Sequence, residues 1–341
     1  MTRGTRDAGF DGKRAIMLAA YVEKFNADEP LAALLVGERP EPVPEPGWAV
    51  IEVRAASINH HDIFSLRGVA LREDRLPMIL GCDAAGIDEN GREVIVHPVI
   101  GTPGWRGDEL ADPGMSLPSE RHQGTMAQRL TVPRSNLIEK PPGMSFAHAA
   151  CLPTAWLTAY RMLFRQSGLV AGNTVLVQGA GGGLSTALIM LGRAAGLRVW
   201  VTSRQEEKRS YARQIGAHEV FESGARLPER VDAVMDSVGQ ATWDHSLKAL
   251  RPHGTMVVSG GTSGYTIQTD VARIFARQLR IAGSAMGTTE DMKALLRMCS
   301  DHQLSPPVQA EIPLAEAADG FAAVYRGDIR GKIVLTPQAS P

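Results

Sequence analysis

The chain has few cysteines and no long apolar run, and both absences exclude protein classes. Cys82, Cys151 and Cys299 are far apart and odd in number, so they provide neither a disulfide framework nor a Cys-x-x-Cys pair. No stretch of eighteen apolar residues exists that would span a bilayer. These absences favour a protein of the reducing cytoplasm.

An excess of either charge is also missing, and this bears on the partners. Lys and Arg together number 36 and Asp and Glu 37, for a net charge of -1. A protein whose main partner is a nucleic acid or an anionic membrane usually carries a basic stripe, which this sequence lacks. We therefore expect neither kind of partner.

The two halves of the 341-residue chain follow different patterns, and 44% hydrophobic residues suffice for two cores. The first half alternates short predicted strands, such as 15–25 and 48–56, with turns rich in Gly and Pro. Residues 102–124 have little periodicity and predict a long loop that is either disordered or functional. In the second half, helical segments alternate with apolar runs, which predicts a parallel sheet covered by helices on both faces. The helical segments are 145–165 and 206–215, and the apolar runs are 231–235, 255–259, 279–282 and a closing strand at 331–335.

Residues 174–203 are the stretch around which the second half is organised. A short apolar run leads into a glycine turn at 179–183, and an amphipathic segment and a second apolar run follow. A strand, a tight turn and a helix in this order form a dinucleotide-binding unit, because a pyrophosphate can approach the backbone amides at the start of the helix. With Gly182 as the central glycine, Ala180 and Ser185 occupy the outer positions, and both are small enough for the turn.

The end of the second strand of this unit predicts which dinucleotide binds. An acidic residue there accepts hydrogen bonds from a ribose 2′-hydroxyl, whereas an Arg accommodates a 2′-phosphate. This sequence has Ser203 and Arg204 at that place and Lys208 one helical turn later. We interpret this pattern as a site for NADP(H). The alternative is that Arg204 and Lys208 only form the solvated end of a helix.

The order of these segments carries a family resemblance. A β-rich N-terminal half, a helical segment 149–160 (AACLPTAWLTAY), the glycine turn and a closing Gly-Lys-Ile-Val strand resemble the medium-chain dehydrogenase/reductase superfamily. Within it the chain looks most like the zinc-independent quinone oxidoreductase and enone reductase branch. The resemblance implies an α/β fold with a Rossmann domain at 152–286. It also implies a GroES-like β-barrel domain at 1–151 and 287–341, a cleft between the two domains, and a homodimer paired through strand 279–282.

The resemblance also predicts the absence of zinc. Zinc-dependent relatives carry Cys, Gly-His-Glu and a second Cys where this chain has Asn59, Gly81-Cys82-Asp83 and Thr154. Asn and Thr are poor zinc ligands, and a catalytic site needs three good ones. A site made from His60 or His61 with Cys82 and Asp83 stays an alternative, although two adjacent His usually point in opposite directions.

The candidate catalytic residues are Asn59 and His61. Asn59 resembles the asparagine that lines the nicotinamide pocket of quinone reductases, and His61 occupies the place of a proton-relaying hydroxyl. As a histidine it could donate a proton near neutral pH, or it could be an ordinary turn residue bonded to backbone. Asp62 is expected to be the N-cap of a helix that begins at Ile63. In the long loop, Trp105, Met115 and His122 are candidates for substrate contact or plain loop surface.

The cofactor site combines the glycine turn with the carboxyl ends of several predicted strands, where ligands bind in open α/β sheets. Thr158, in the helix before the glycine turn, is also included. For Thr158, as for Thr154, the alternative role is helix packing. The predicted cofactor-binding residues are Thr158, Gly179, Ala180, Gly181, Gly182, Gly183, Leu184, Ser203, Arg204, Lys208, Gly239, Gly260, Gly283 and Ser284.

These observations predict an NADPH-dependent oxidoreductase that reduces quinones or activated C=C bonds of small carbonyl compounds. A conjugated carbonyl has its own electron sink, so it can accept a hydride without a metal, whereas a simple ketone gains more from metal polarisation. Two alternatives remain open. They are a zinc-type alcohol dehydrogenase and a non-catalytic NADPH-binding sensor protein.

Overall fold

The computed structural model describes residues 15–337, so the predicted domain limits at 1 and 341 lie outside the described residues. The strands are β1 (Ile16–Val22), β2 (Leu34–Pro40), β3 (Trp48–Ser57), β4 (Met78–Ile79), β5 (Asp83–Asp88), β6 (Glu93–Val96), β7 (Arg129–Pro133), β8 (Leu137–Glu139), β9 (Thr174–Gln178), β10 (Arg198–Thr202), β11 (Glu219–Phe221), β12 (Val231–Asp236), β13 (Leu250–Val258), β14 (Arg280–Gly283), β15 (Val308–Pro313) and β16 (Lys332–Thr336). The helices are α1 (His60–Leu66), α2 (Phe146–Ala150), α3 (Leu157–Arg161), α4 (Gly183–Ala194), α5 (Glu206–Gln214), α6 (Trp243–Ala249), α7 (Val271–Ala276), α8 (Thr289–Asp301) and α9 (Ala317–Arg326).

Six parallel strands form the sheet of the second half, in the order β11-β10-β9-β12-β13-β14. All five residues of β9 are buried, as expected for a strand covered on both faces by helices. The order reverses at β9, whose neighbours are β10 and β12, and this switch point is where such sheets bind ligands. The predicted Rossmann fold is confirmed.

The first half contains a seven-stranded sheet and a three-stranded sheet. The seven-stranded sheet has the order β15-β16-β3-β5-β6-β8, with β7 also paired to β3. Its strand β16 comes from the end of the chain and pairs antiparallel with β3, where Val334 lies opposite Ser57. The prediction that the closing strand returns to the first domain is confirmed, and the fold is a GroES-like domain beside a Rossmann domain.

The predicted helix at 145–165 is helical but not uniform. Two π-helical segments, Leu152–Trp156 and Met162–Gln166, flank α3. Pro153 lacks a backbone N–H and cannot join the regular α-helical ladder, which accounts for the wider first segment. These turns carry Thr154 toward the β-rich domain, with consequences for the site below.

The boundary between the two domains stays a prediction. Helix α8 lies just after the predicted limit at 286, yet it contacts α3. Its side chains Met292, Leu295 and Cys299 are buried in the cluster that also contains the core residues of β9 and α4. The segment after α9 contacts the Rossmann domain directly, since the Gly331 N–H donates to the Gly181 carbonyl at 2.8 Å.

The long loop at 102–124 is ordered and polar contacts hold it. The Asp112 carboxylate accepts from the backbone N–H groups of Thr102 and Gly114, which closes one turn of the loop. The Glu109 carboxylate accepts from the N–H and the hydroxyl of Thr289, at the start of α8. The loop therefore connects the β-rich domain to a helix packed on the Rossmann domain.

Across residues 15–337, no helix is both long and apolar enough to cross a membrane.

Candidate active site

The glycine turn between β9 and α4 has the geometry that a pyrophosphate needs. Gly179 and Gly181 have φ values of 85° and 96°, a region that side chains other than glycine rarely adopt. Gly182 is the N-cap of α4, and no described atom lies within 4 Å of the place where its Cβ would be. The backbone is therefore open at the start of α4, where unpaired N–H groups and the helix dipole favour an anion. Ala180 and Leu184 lie in and just after this turn.

The residues predicted to determine whether NAD(H) or NADP(H) binds lie at the end of β10 and in α5. Arg204 is exposed, and Ser203 is buried immediately after the strand. The aliphatic stem of Lys208 lies beside Gly181, and its ammonium donates to the Gly327 carbonyl at 2.5 Å. Arg209 was not singled out from the sequence, yet its guanidinium donates to the Ser203 carbonyl at 2.6 Å. Three cationic side chains, those of Arg204, Lys208 and Arg209, therefore lie around the end of β10.

The remaining predicted cofactor residues lie at the same edge of the sheet. Gly239 follows β12, Gly260 follows β13, and Gly283 and Ser284 lie at and after the end of β14. Because these strands are parallel, their carboxyl ends share one edge with the glycine turn. Thr158 is buried in α3 with 6% of its surface exposed. The structure brings these residues to one edge, and their contacts with a cofactor stay a prediction.

Five side chains from distant segments of the chain form a buried hydrogen-bond network, which we call the Asp83 cluster. The Asp83 carboxylate is 0% exposed, and Oδ2 accepts from Ser57 Oγ at 2.7 Å and Asn59 Nδ2 at 2.8 Å. Oδ1 accepts from Thr154 Oγ1 at 2.5 Å. The Lys332 ammonium, from β16, donates to Asn59 Oδ1 at 2.5 Å and lies 3.6 Å from Asp83 Oδ2. Every side chain of the cluster is thus paired with another.

The Asp83 cluster is a poor fit for zinc. Three of the positions at which zinc-dependent relatives carry ligands are Asn59, Asp83 and Thr154, and each is already hydrogen-bonded within the cluster. The Lys332 ammonium also donates to the Ile58 carbonyl at 2.7 Å. The Asp83 cluster therefore already contains a positive charge without a metal ion. Asp83 is the one good zinc ligand of the three. Cys82, which stands at the place of the histidine of the Gly-His-Glu motif, contacts His61 and the Pro118 carbonyl instead of the cluster, and a catalytic zinc needs three good ligands.

The start of α1 differs from the prediction in one respect. The N-cap is Asn59, and the helix begins at His60, so Asp62 is the third helical residue and not the N-cap. Asn59 and Asp62 form a capping box, in which Asp62 Oδ2 accepts from the Asn59 N–H at 2.7 Å. The sequence interpretation missed the reciprocal half of this motif. Both polar ends of the Asn59 amide are engaged with Lys332 and Asp83, so its predicted catalytic contact remains untested.

A second group of polar side chains lies at the start of α1, and we call it the Cys82 cluster. It contains His61, Asp62, Cys82 and Glu120. The His61 ring has Nδ1 3.3 Å from Cys82 Sγ and Nε2 3.0 Å from Glu120 Oε1. Asp62 and Cys82 are both 0% exposed. Glu120, which comes from the long loop, was not singled out from the sequence.

Burial and neighbouring groups shift the pKa values in the Cys82 cluster. Burial raises the pKa of Asp62 to about 6, against the opposing effect of His61. Burial also raises the pKa of the Cys82 thiol. For His61, burial acts to lower the pKa, but Cys82 and Glu120 outweigh it and the pKa lies well above its usual value. These directions favour a proton on the His61 ring, and they make the Cys82 thiol harder to ionise than an ordinary cysteine.

His60 and His61 point in different directions, as predicted for adjacent residues. His60 keeps an exposed surface, and its ring lies 6.5 Å from that of Phe64. Although it is exposed, surrounding protein lowers the pKa of His60, and the charges of Lys332 and Lys208 add to the effect. His60 is thus harder to protonate than an ordinary histidine, and the sequence interpretation considered it only as an alternative zinc ligand.

The three candidate loop residues have different surroundings. Trp105 is 43% exposed, and its Nε1 donates to the Asp108 carbonyl. Met115 packs against the apolar cluster that surrounds Cys82. The His122 ring lies 4.9 Å from the ring of Trp48. Of these three residues, Met115 is therefore the one that packs beside Cys82.

Comparison with known proteins agrees with this architecture. Residues 45–142 match the model of the alcohol dehydrogenase GroES-like domain, and residues 183–301 match that of the zinc-binding dehydrogenases. A solved NAD-dependent alcohol dehydrogenase is 30% identical, with a TM-score of 0.87 over 94% of this chain and 99% of that one. The chain belongs to the medium-chain dehydrogenase/reductase superfamily. Membership makes it an oxidoreductase, in the branch of quinone oxidoreductases and enone reductases.

Two curated relatives represent that branch of the superfamily. The acryloyl-coenzyme A reductase of Metallosphaera sedula is 29% identical over 328 residues, which cover 88% of this chain and 96% of the relative. The quinone oxidoreductase of Homo sapiens is 26% identical over 338 residues, which cover 94% and 98%. Both extend over nearly the whole length, so the similarity includes both domains.

Proposed function

We propose that this chain is an NADPH-dependent reductase of quinones or activated C=C bonds and that it uses no zinc at the reacting carbon. The observation that carries the proposal is the Asp83 cluster. Its side chains bond to one another and to the Lys332 ammonium, so the donor set does not suit a Lewis-acidic metal. Substrates whose conjugated carbonyl supplies the electron sink need no such metal.

The names of the relatives support this substrate class. One is named for the reduction of acryloyl-coenzyme A, whose C=C bond is conjugated to a thioester carbonyl, and the other for quinones. Both kinds of acceptor take a hydride at a carbon conjugated to a carbonyl. We propose that the substrate of this chain has the same feature.

The choice of NADPH rests on the end of β10. Ser203 is present in place of an acidic residue, and Arg204 and Lys208 provide positive charge. A carboxylate at that place would repel a 2′-phosphate, whereas a guanidinium can bind it through two parallel hydrogen bonds. Arg204 is exposed and can move to meet the phosphate.

In the proposed mechanism the protein positions the reactants and supplies a proton. When bound, NADPH supplies the hydride. The Asp83 cluster holds the start of α1 through Asn59 and excludes water from that part of the cleft. His61, held between Cys82 and Glu120, carries the proton for the reduced substrate. Glu120 is 20% exposed at its side chain, so it connects His61 Nε2 with solvent.

We also propose a homodimer paired through β14. This strand ends the six-stranded sheet and pairs with β13 on one side. Ile281 on β14 is 39% exposed, and Val271 and Phe275 on α7 are 61% and 69% exposed. A second copy would pair with the strand edge and cover these apolar groups. We expect light scattering to report a dimer that Ile281→Lys dissociates, while Val170→Lys, in the loop before β9, leaves it intact.

The first experiment follows NADPH oxidation by chelator-treated protein with quinones, enones, aldehydes and ketones, with NADH in parallel. We expect turnover of quinones or enones that survives the chelator. Loss of activity on metal removal, or turnover of simple alcohols with added zinc, would favour the zinc-type alcohol dehydrogenase. Tight NADPH binding without turnover of any acceptor would favour a binding protein.

The cofactor assignment has its own test in Arg204→Ala. Each charge-assisted hydrogen bond to the 2′-phosphate contributes about 1.5–3 kcal/mol, so loss of the guanidinium should weaken NADPH binding by at least roughly tenfold. NADH binding should hardly change, because NADH carries no 2′-phosphate. Arg213→Ala, which removes the same charge from the exposed face of α5, is the matched control. Equal losses for NADPH and NADH would refute the assignment.

A further inference from the structure

We propose that the groove between α6 and the connection from β11 to β12 is a second binding site, which takes a small organic phosphate. We call it the α6 groove. It is lined by residues 224–230 and by His245, Lys248 and Ala249. Its volume is about 490 Å³, within the range of pockets that hold small ligands.

The groove exists because one connection of the Rossmann sheet lacks a helix. Strands β11 and β12 are separated by β10 and β9, a distance of about 14 Å. The connection, residues 222–230, crosses this distance without a helix, whereas the other four connections of the sheet contain α4, α5, α6 and α7. A crossover between parallel strands usually includes a helix that covers the sheet. The space beside α6 therefore stays partly open.

The floor of the groove is an apolar layer that contains an unsatisfied donor. Leu227 and Ala249, which line the groove, pack in the same cluster as Trp200 on β10 and Leu247 on α6. Trp200 is 3% exposed, and its Nε1 has no hydrogen-bond partner among residues 15–337. Buried donors without an acceptor are uncommon in folded proteins. A ligand on this layer would bury apolar surface next to a donor that lacks an acceptor.

Two cations of the groove form no ion pair within the described part of the chain. They are Arg226 and Arg230, and the acid of the lining, Glu229, is already paired with an arginine outside the groove. Lys248 adds a third, exposed cation, whose ammonium lies 2.5 Å from Asp244 Oδ2. Positive charge is therefore in excess in the groove, although the whole chain has a net charge of -1.

The Arg230 guanidinium is held in a fixed position. Its Nη1 donates to the carbonyls of Lys248 at 2.6 Å and Leu250 at 3.1 Å, at the end of α6. A guanidinium has five N–H donors, and those on Nη2 and Nε of Arg230 have no partner among the described residues. Burial lowers the pKa of Arg230, and the charges of Arg277 and Arg273 lower it further. An anion would thus meet free donors and reduce the repulsion between like charges.

A phosphate group on an organic molecule suits this combination of groups. A phosphate monoester carries a charge of about -1.5 to -2 at pH 7, which balances the two guanidinium groups that lack an acidic partner. A guanidinium can also bind phosphate through two parallel hydrogen bonds. The apolar floor favours an organic part attached to the phosphate, as in a nucleotide.

The α6 groove is separate from the proposed cofactor site. Arg230 immediately precedes β12 and Lys248 lies two residues before β13, so both cations lie at the amino-terminal edge of the sheet. The predicted cofactor residues lie at the carboxyl edge, roughly 17–20 Å away along a strand of this length. His245 does not bind the ligand through its ring nitrogens, because Nδ1 lies 2.9 Å from Gln178 Nε2 and Nε2 lies 2.9 Å from the Ala225 carbonyl.

Isothermal titration calorimetry of the full-length protein in excess NADP⁺ tests the proposal, because the cofactor site is then filled. The probes are ADP, inorganic pyrophosphate, which has no organic part, and adenosine, which has no phosphate. We expect one equivalent of ADP to bind, more tightly than pyrophosphate and more tightly than adenosine. Binding should weaken as salt is added, since exposed charges are screened.

Charge reversal in the groove provides the variants. Arg226→Glu and Lys248→Glu should each weaken ADP binding by at least roughly tenfold, because a charge-assisted hydrogen bond is replaced by repulsion. Both side chains are exposed, so the fold should be kept. The matched control is Arg213→Glu on α5, a helix whose Ala212 packs in a different apolar cluster. This control should leave ADP binding unchanged.

Four results would each overturn the proposal. They are ADP binding only when NADP⁺ is absent, ADP binding that is unchanged in both groove variants, an equal loss in Arg213→Glu, and ADP that binds no more tightly than pyrophosphate. The last result would mean that the groove takes a bare anion and not an organic phosphate. All of these readouts measure binding and not turnover, so a negative outcome leaves the proposed reductase function unaffected.

Discussion

The two polar clusters of the cleft differ in how completely their hydrogen bonds are satisfied. In the Asp83 cluster the carboxylate has partners on both oxygens and an ammonium 3.6 Å away. In the Cys82 cluster the Asp62 carboxylate has one oxygen without a hydrogen-bond partner in the described part of the chain, and the charge of His61 opposes the effect of burial on its pKa. A satisfied buried network fixes geometry, whereas an unsatisfied one has capacity for a ligand. We therefore assign a positioning role to the first cluster, whereas the second holds His61, the proposed proton carrier.

The largest effect that would test this comparison is expected from Lys332→Met. Removal of the ammonium leaves Asp83 as a buried charge without a countercharge, and breaking a buried pair in this way costs about 3–5 kcal/mol. Chemical denaturation should show a loss of that size. Lys293→Met, on the surface of α8, is the control and should change little.

The double variant Asp83→Asn/Lys332→Met sharpens the same test. It removes both charges and should recover much of the stability that Lys332→Met loses. If Lys332→Met were as stable as the unaltered protein, the Asp83 cluster would not depend on its ion pair, and the contrast with the Cys82 cluster would fail.

Because of Asp62, the contributions of the two clusters to the free energy of unfolding should depend differently on pH. Its pKa of about 6 in the folded state lies above the ordinary value of 3.8. The folded state therefore binds this proton more tightly, and the free energy of unfolding falls as the pH rises from about 4 to 6. The fall is at most about 3 kcal/mol.

Asp62→Asn removes this titration, so its stability relative to the unaltered protein should increase between pH 4 and pH 7. Denaturation at the two pH values measures the change, and Asp301→Asn, at the exposed end of α8, serves as control. If the stability difference between Asp62→Asn and the unaltered protein were the same at pH 4 and pH 7, burial would not disfavour the ionised form of Asp62.

A moderate effect is expected from Thr154→Val. The variant removes the 2.5 Å hydrogen bond to Asp83 Oδ1 and leaves a charged oxygen short of one partner. Hydrogen bonds to charged groups contribute about 1.5–3 kcal/mol. The loss should appear in thermal and chemical denaturation alike, and a neutral result would mean that the cluster tolerates an unsatisfied oxygen.

The smallest effect is expected from Ser119→Ala in the Cys82 cluster. Ser119 Oγ is 3.7 Å from Cys82 Sγ, a long contact for a weak sulfur partner. We expect a stability change below about 0.5 kcal/mol, since no strong bond is lost. A loss as large as that of Thr154→Val would show that both clusters are equally well satisfied, against our comparison.

Much of the fold was predictable because its signals are local. The apolar run before the glycine turn, the segment that became α4 and the alternation of the second half all follow from neighbouring residues. The β-rich half was less clear: β2 was not predicted, and the start of α1 was predicted at Ile63, three residues too late. The Asn59–Asp62 capping box was missed because Asp62 was taken for the cap itself, although the two residues stand at the spacing of that motif.

The candidate site was only partly predictable, because it is assembled from distant segments. Asn59, His61 and the glycine turn were selected from the sequence, but Lys332 and Glu120 were not. Lys332 is 273 residues from Asn59, and Glu120 is 59 residues from His61. No periodicity or spacing in a single sequence relates such positions.

The sequence by itself therefore determined the strand-turn-helix unit, the small residues of its turn and the charges at the end of β10, since each depends on residues close in the chain. The tertiary structure decided which polar groups meet. It turned His61 toward Cys82 and left His60 exposed, and it brought Lys332 from the last strand into the Asp83 cluster. The physical reason is that buried polar groups must find partners, and the chain supplies those partners only when segments distant in sequence pack together.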